Sequence, residues 1–325
     1  MNNKPVKISS KTVMGFTLGI IAAIMWGTYG TFVTYLTKYN FSSIEIAIFP
    51  SIFMVIWFGG RMLLFNRKAF KLDLKGFICY LLIGVVVINV VSILYAKAML
   101  TVPVAIASIL AFCNVFVTMI LAYFAFKDKI TSRKIICAIF TVLGLCLVLN
   151  VFTSTTGSMG GIGLLYILGV MLVQGFSYIV TKYALEEGYD YEAILFYSNL
   201  LSFITLSFSC PPWQLAGSVA THINTYGLIV LVPLLGYSLF TQTFQFVFFM
   251  KSMILIEPVF VCLAFSFDPI TASILGWVLF GQALNSLQML GMLIVIVTIG
   301  WLQWREYKLE QEKLLMNDTG ISTTI

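Results

Sequence analysis

A single carboxyl group set deep in a long apolar run is the residue best placed to do chemistry in this sequence. Asp268 stands within residues 256–280, followed directly by Pro269 and preceded in the same run by Pro258. A charge held there is costly in lipid and usually marks function. The prolines remove backbone donors and should kink or break the helix that carries them. A desolvated carboxyl can take up and release a proton, so Asp268 could couple the movement of a solute to protons. Five amides, Asn89, Asn114, Gln174, Gln242 and Gln245, lie inside other apolar runs. Each must find a partner between helices or line a wet cavity. Trp26, Tyr29 and Tyr178 accompany them, with Tyr95 and Tyr237 nearby in pattern. Most aromatic residues in such a chain are core or interface anchors. Where they line a cavity they favour aromatic, aliphatic or cationic solutes. The expected substrate-binding set is therefore Trp26, Tyr29, Asn89, Asn114, Gln174, Tyr178, Gln242, Gln245 and Asp268.

Other chemistries have little to build on. His222 is the only histidine, and Cys79, Cys113, Cys137, Cys146, Cys210 and Cys262 form no C-x-x-C pair. Most of these cysteines sit in apolar runs and read as small buried hydrophobes. Neither a metal site nor a histidine-activated nucleophile is expected. No Gly-rich loop closing on Lys-Ser or Lys-Thr is present to hold nucleotide phosphates, and no cofactor is expected.

These side chains must be positioned by elements that lie in lipid. Of 325 residues, 60% are hydrophobic and 10% charged, against about 25% charged in an average soluble domain. One soluble core could not hide that much apolar surface. Apolar runs fall near residues 13–35, 43–65, 76–97, 103–126, 133–152, 161–182, 191–210, 227–249, 256–280 and 286–304. Each is long enough to cross as a helix, and the strict alternation of a membrane barrel is absent. The first run is too long for a signal-peptide core and reads as an uncleaved span. With ten spans and a cytoplasmic N-terminus, 17 of the 19 Lys and Arg residues fall on the cytoplasmic side, leaving Lys38 and Lys97 outside. That is the positive-inside pattern, and it accounts for the net charge of +6 without a nucleic-acid partner.

The chain also repeats itself. Residues 114–131, an apolar span closed by Lys127-Asp128-Lys129, match in pattern residues 268–285, closed by Gly281-Gln282. Trp26-Gly27 corresponds to Gln174-Gly175, and Glu45 to Glu192. Repeats of five spans must lie in opposite orientations, as in many secondary transporters. The expected fold is an all-α membrane protein of ten transmembrane helices, two inverted five-helix repeats (1–152 and 153–325) around a central cavity.

Trp26-Gly27, Phe126-Lys-Asp-Lys-Ile-Thr131, Asp268-Pro269 and Gly281-Gln282-Ala-Leu-Asn285 together resemble the EamA-type branch of the drug/metabolite transporter superfamily, over about residues 13–304. The sequence departs from that pattern at Asn114-Val115, where the family has Glu-Pro, at Pro50, where many members have Arg, and at Gln174 and Gln282. The resemblance implies a secondary active transporter working by alternating access in the inner or plasma membrane, with both termini cytoplasmic. Efflux of an amino acid or related amphipathic metabolite is the function it suggests. The alternatives are a membrane-embedded enzyme on a lipid-like substrate, which would need clustered acids, His or Cys at a membrane face, and a non-transporting structural or sensory protein. The expected partners are a small-molecule substrate and the bilayer; nothing in the sequence speaks to oligomeric state.

Overall fold

A computed structural model describes residues 11–99, 102, 104–151 and 161–318. Lys4 and Lys7, the division after residue 152 and the tail at 322–325 lie outside the described residues. Within them the chain is helical, with no strand, because a backbone in lipid must satisfy its own hydrogen bonds.

The order begins with α1 (Lys11–Gly27), α2 (Tyr29–Lys38), α3 (Ser43–Phe65) and α4 (Leu74–Leu81). A π-helical stretch, Leu82–Val90, leads into α5 (Val91–Met99). Next come α6 (Val104–Phe112), α7 (Asn114–Phe126), α8 (Ser132–Val148), α9 (Gly161–Glu186), α10 (Tyr191–Ser207), α11 (Pro212–Tyr226) and α12 (Leu231–Leu235). A second π-helical stretch, Gly236–Phe244, leads into α13 (Gln245–Leu255). The chain ends with α14 (Pro258–Ala264), α15 (Phe267–Phe280) and α16 (Ser286–Asp318).

Among the described residues, eight helical stretches are long and apolar enough to cross a membrane: Lys11–Lys38, Ile44–Phe65, Leu74–Tyr95, Ala107–Phe126, Gly161–Glu186, Leu228–Leu255, Pro258–Phe280 and Ser286–Glu312. There are up to nine if α10 and α11, bent by 85° at their junction, count as one. α8 has 17 residues, as does α10 alone, at the short end of what spans hydrocarbon. Leu64, Phe65, Phe124 and Phe208 are each at least 70% exposed. In water such a surface would drive aggregation; in lipid it is solvated. The protein is a multi-pass membrane protein.

Local chemistry sets the helix ends. Ser42 and Glu45 form a reciprocal capping box at the start of α3, which satisfies two donors that the first turn leaves free. The Asp190 carboxylate accepts from the Glu192 N–H at 2.8 Å to open α10. α7 ends in a left-handed residue, Lys127, and α15 ends likewise in Gly281. Pro258 opens α14, where no intrahelical N–H is required.

The expected break near Asp268 is present but lies ahead of Pro269. The chain leaves α14 at Phe265 and Ser266, and Pro269 falls in the first turn of α15. The first run, expected as one continuous helix, is interrupted at Thr28 between α1 and α2, whereas α9 continues unbroken past Gly175. Across the bundle α1 packs on α13, α3 on α10, α8 on α16, and α9 on both α5 and α7.

Candidate functional site

Two breaks and two glycines position the site. α6 and α7 are separated at Cys113, and α14 and α15 at Phe265 and Ser266. Asn114 and Asp268 stand at the starts of the second helix of each pair, related by the same displacement along the chain as Lys127 and Gly281. Against each of their carbonyls lies a glycine of another helix. A Cβ on Gly27 would meet the Asp268 carbonyl oxygen at 2.7 Å and Thr271 at 2.6 Å. One on Gly175 would meet the Asn114 carbonyl oxygen at 3.2 Å and Val117 at 2.6 Å. Only a residue without a side chain lets α1 approach α15, and α9 approach α7, so closely.

The two starting residues differ in what their side chains do. Asn114 is buried and fully engaged. Its Nδ2 donates to the Gln174 side-chain Oε1 at 3.1 Å, and its Oδ1 accepts from the Cys262 thiol at 2.9 Å. The Tyr178 phenol lies near the same thiol, and the Tyr178 ring lies edge-on to Phe249 at 5.6 Å. Asp268 is half-buried, and its carboxylate has no hydrogen-bond or ion-pair partner among the described residues. It lies near enough to Tyr95 and Tyr178 for its charge to act on both.

A second group of candidates gathers beside Gly27. Trp26 stacks on Tyr29 with ring centroids 5.5 Å apart and meets Phe246 edge-on at 6.3 Å. The Tyr29 ring meets that of Tyr237 edge-on at 5.7 Å, and the Tyr237 hydroxyl accepts from Gln242 Nε2 at 3.2 Å. Thr28 and Thr241 join their hydroxyls at 2.8 Å. Tyr29 remains 39% exposed. The Gln245 side-chain oxygen is buried without a partner among the described residues.

Asn89 is not part of either group. Its amide donates to the Thr205 hydroxyl at 2.5 Å and accepts from that of Ser202 at 2.8 Å, both on α10. That pairing joins the first π-helical stretch to α10, a helix-to-helix bond of the ordinary kind.

The sequence did not single out Cys262 for this arrangement. The Cys262 thiol is buried, as expected, but it also donates to Asn114 with Tyr178 close by. Its position in the same apolar run as Asp268 was the available signal. No group of His, Cys, Asp and Glu that could hold a metal ion occurs among the described residues. Two hollows are open at the periphery. One, of about 490 Å³, is lined wholly by apolar residues including Ile21, Met25, Phe240 and Phe248; the other, of about 220 Å³, is lined by Val13, Gly300, Gln303, Trp304 and Tyr307. Neither includes any of the expected site residues.

Fold and site together describe a helical protein of the bilayer with two broken spans at equivalent places along the chain. The chain belongs to the EamA-like transporter family, whose pattern matches twice, over residues 13–150 and 161–303. A solved structure titled only "Crystal structure of protein" shares the fold, with a TM-score of 0.67 at 13% identity, over 93% of this chain and 99% of that one. No curated protein matches the sequence.

Proposed function

We propose that the protein is a secondary transporter of a small amphipathic metabolite, of the amino-acid or amine kind, exporting it by alternating access. In this reading α8 and α10 also cross the bilayer, giving ten spans. The halves divide after residue 152, the second is inverted relative to the first, and both termini are cytoplasmic at the plasma or inner membrane. Trp26, Tyr29, Tyr178, Gln174, Gln242 and Asp268 line the path, and a proton on Asp268 is the coupling ion.

The observation that carries the reading is the matched pair of approaches, Gly27 on the Asp268 carbonyl and Gly175 on that of Asn114. Two equivalent contacts at equivalent breaks are what two copies of one packing produce, and exchange between the copies' geometries opens each side in turn. The membership of the family supports transport of a small molecule.

The test is labelling of single cysteines in intact cells and inverted vesicles, with no solute added. A cysteine at Lys127 should react only from the cytoplasm and one at Gly281 only from outside. One at Trp26 should react from either side in turn. Both turns labelling from the same face would sink the inverted arrangement. Reaction at Trp26 from one side only would sink alternating access.

A further inference from the structure

We infer that the solute this site accepts carries a net positive charge, an organic ammonium, and that Asp268 is its counter-ion. This rests on the transport reading above and narrows its substrate.

The chain holds 13 acidic and 19 basic residues. Apart from Asp268, the described ones lie in turns, near helix ends or in the charged extension of α16. Glu192 at the start of α10 pairs with Arg61 at 2.8 Å, and Glu257 ahead of α14 pairs with Lys134. Asp268 alone lies at mid-span, and no described basic group answers it. The spanning segments therefore carry one uncompensated carboxylate in their interior. A cation entering from outside the protein supplies the missing charge, and a carboxylate in that setting discriminates strongly by the sign of its partner.

The surroundings fit an organic cation better than a metal ion. Gly27 seats Trp26 and its stacked partner Tyr29 beside the Asp268 backbone, and Tyr95 and Tyr178 lie within its electrostatic range. Ring faces attract ammonium groups, whereas sodium or calcium needs a shell of oxygen ligands. An anionic solute would add a second negative charge. A zwitterion would bring its own carboxylate into the same space without a basic residue to receive it, and the nearby amides of Asn114 and Gln174 already bond one another. Net-cationic amines are thus favoured over free amino acids, which share the ammonium group.

Four probes with one aromatic skeleton separate these cases: phenethylammonium, phenylalanine, 2-phenylethanol and 3-phenylpropionate. Each is titrated by calorimetry into the full-length protein in lipid nanodiscs. Phenethylammonium should bind at least about tenfold tighter than the other three. Asp268→Asn should weaken the amine by about thirtyfold or more, while Asp268→Glu restores most of it. A thermal unfolding transition verifies that each variant is folded. Equal or tighter binding of phenylalanine or 3-phenylpropionate would overturn the inference. So would undiminished amine binding by folded Asp268→Asn, or no binding of any probe by the folded native protein. The cysteine labelling uses no ligand, so alternating access stands or falls separately.

Discussion

The two broken spans share a backbone plan and differ in chemistry. At the first, the Asn114 side chain is tied to Gln174 and Cys262, and the break is braced from α9 and α14. At the second, the Asp268 carboxylate has no partner among the described residues and lies within electrostatic reach of Tyr95 and Tyr178. The glycine contacts that set the two breaks are alike. One plan thus provides a structural brace in one half and an available charge in the other. The contrast lies in single side chains rather than in the path of the chain. Only in the helices packed against the breaks does the path itself differ: α1 gives way to α2 at Thr28, next to Trp26 and Tyr29, while α9 runs straight through the equivalent position.

Moving a charge to the braced side should have the largest effect. Asn114→Asp places a second acid at mid-span with no described base to meet it, a cost of about 3 kcal/mol on insertion scales. The variant should unfold at lower denaturant or temperature than the native protein. A variant of native stability would mean that both breaks tolerate charge and that the contrast between them is not real. Next come the two glycines. Gly27→Ala and Gly175→Ala each drive a Cβ to within 2.7 Å of a packed neighbour, and overpacking of this kind costs about 1–3 kcal/mol. Thermal unfolding should show similar losses for both; a large loss at one and none at the other would break the equivalence of the contacts. Smaller still is Asn89→Ala, which removes two bonds to α10. Polar contacts between spans average about 0.6 kcal/mol, so a small loss of stability with native solute binding is expected. A large loss of binding would put Asn89 in the site after all.

Much of this arrangement was legible in the residues. The membrane class follows from the apolar runs, and the special position of Asp268 from an acid set midway along one of them. The pairing of Gly27 with Gly175 was visible as a repeat, although what each glycine touches was not, because a close approach depends on the partner helix. Asn89 looked equivalent to the other amides. Its use as a brace is set by Ser202 and Thr205, more than a hundred residues away. The interruption at Thr28 carries no proline and left no signal. Cys262 looked inert because a thiol's role as a donor depends on which acceptor folding brings to it.

The paired turns offer the finest comparison. Lys127-Asp128 closes α7, and Gly281-Gln282 closes α15, each through a left-handed residue, but only the first has a group that titrates. Burial and then the nearby Glu257 carboxylate push Asp128 up from 3.8 to about 6, partly offset by Lys134. An acid whose folded pKa lies above its unfolded value holds its proton more tightly when folded. Between about pH 4 and 6 the folded state then binds more protons than the unfolded one, and stability falls as pH rises through that window. Asp128 is partly exposed, so solvent screening keeps the effect small. Melting temperatures recorded across this window should show a pH slope less negative in Asp128→Asn than in the native protein. Gln282→Ala, in the uncharged turn, should leave the native slope intact. A slope unchanged by Asp128→Asn would show that the first turn's acid titrates alike in both states, and the two turns would then differ in sequence without differing in electrostatics.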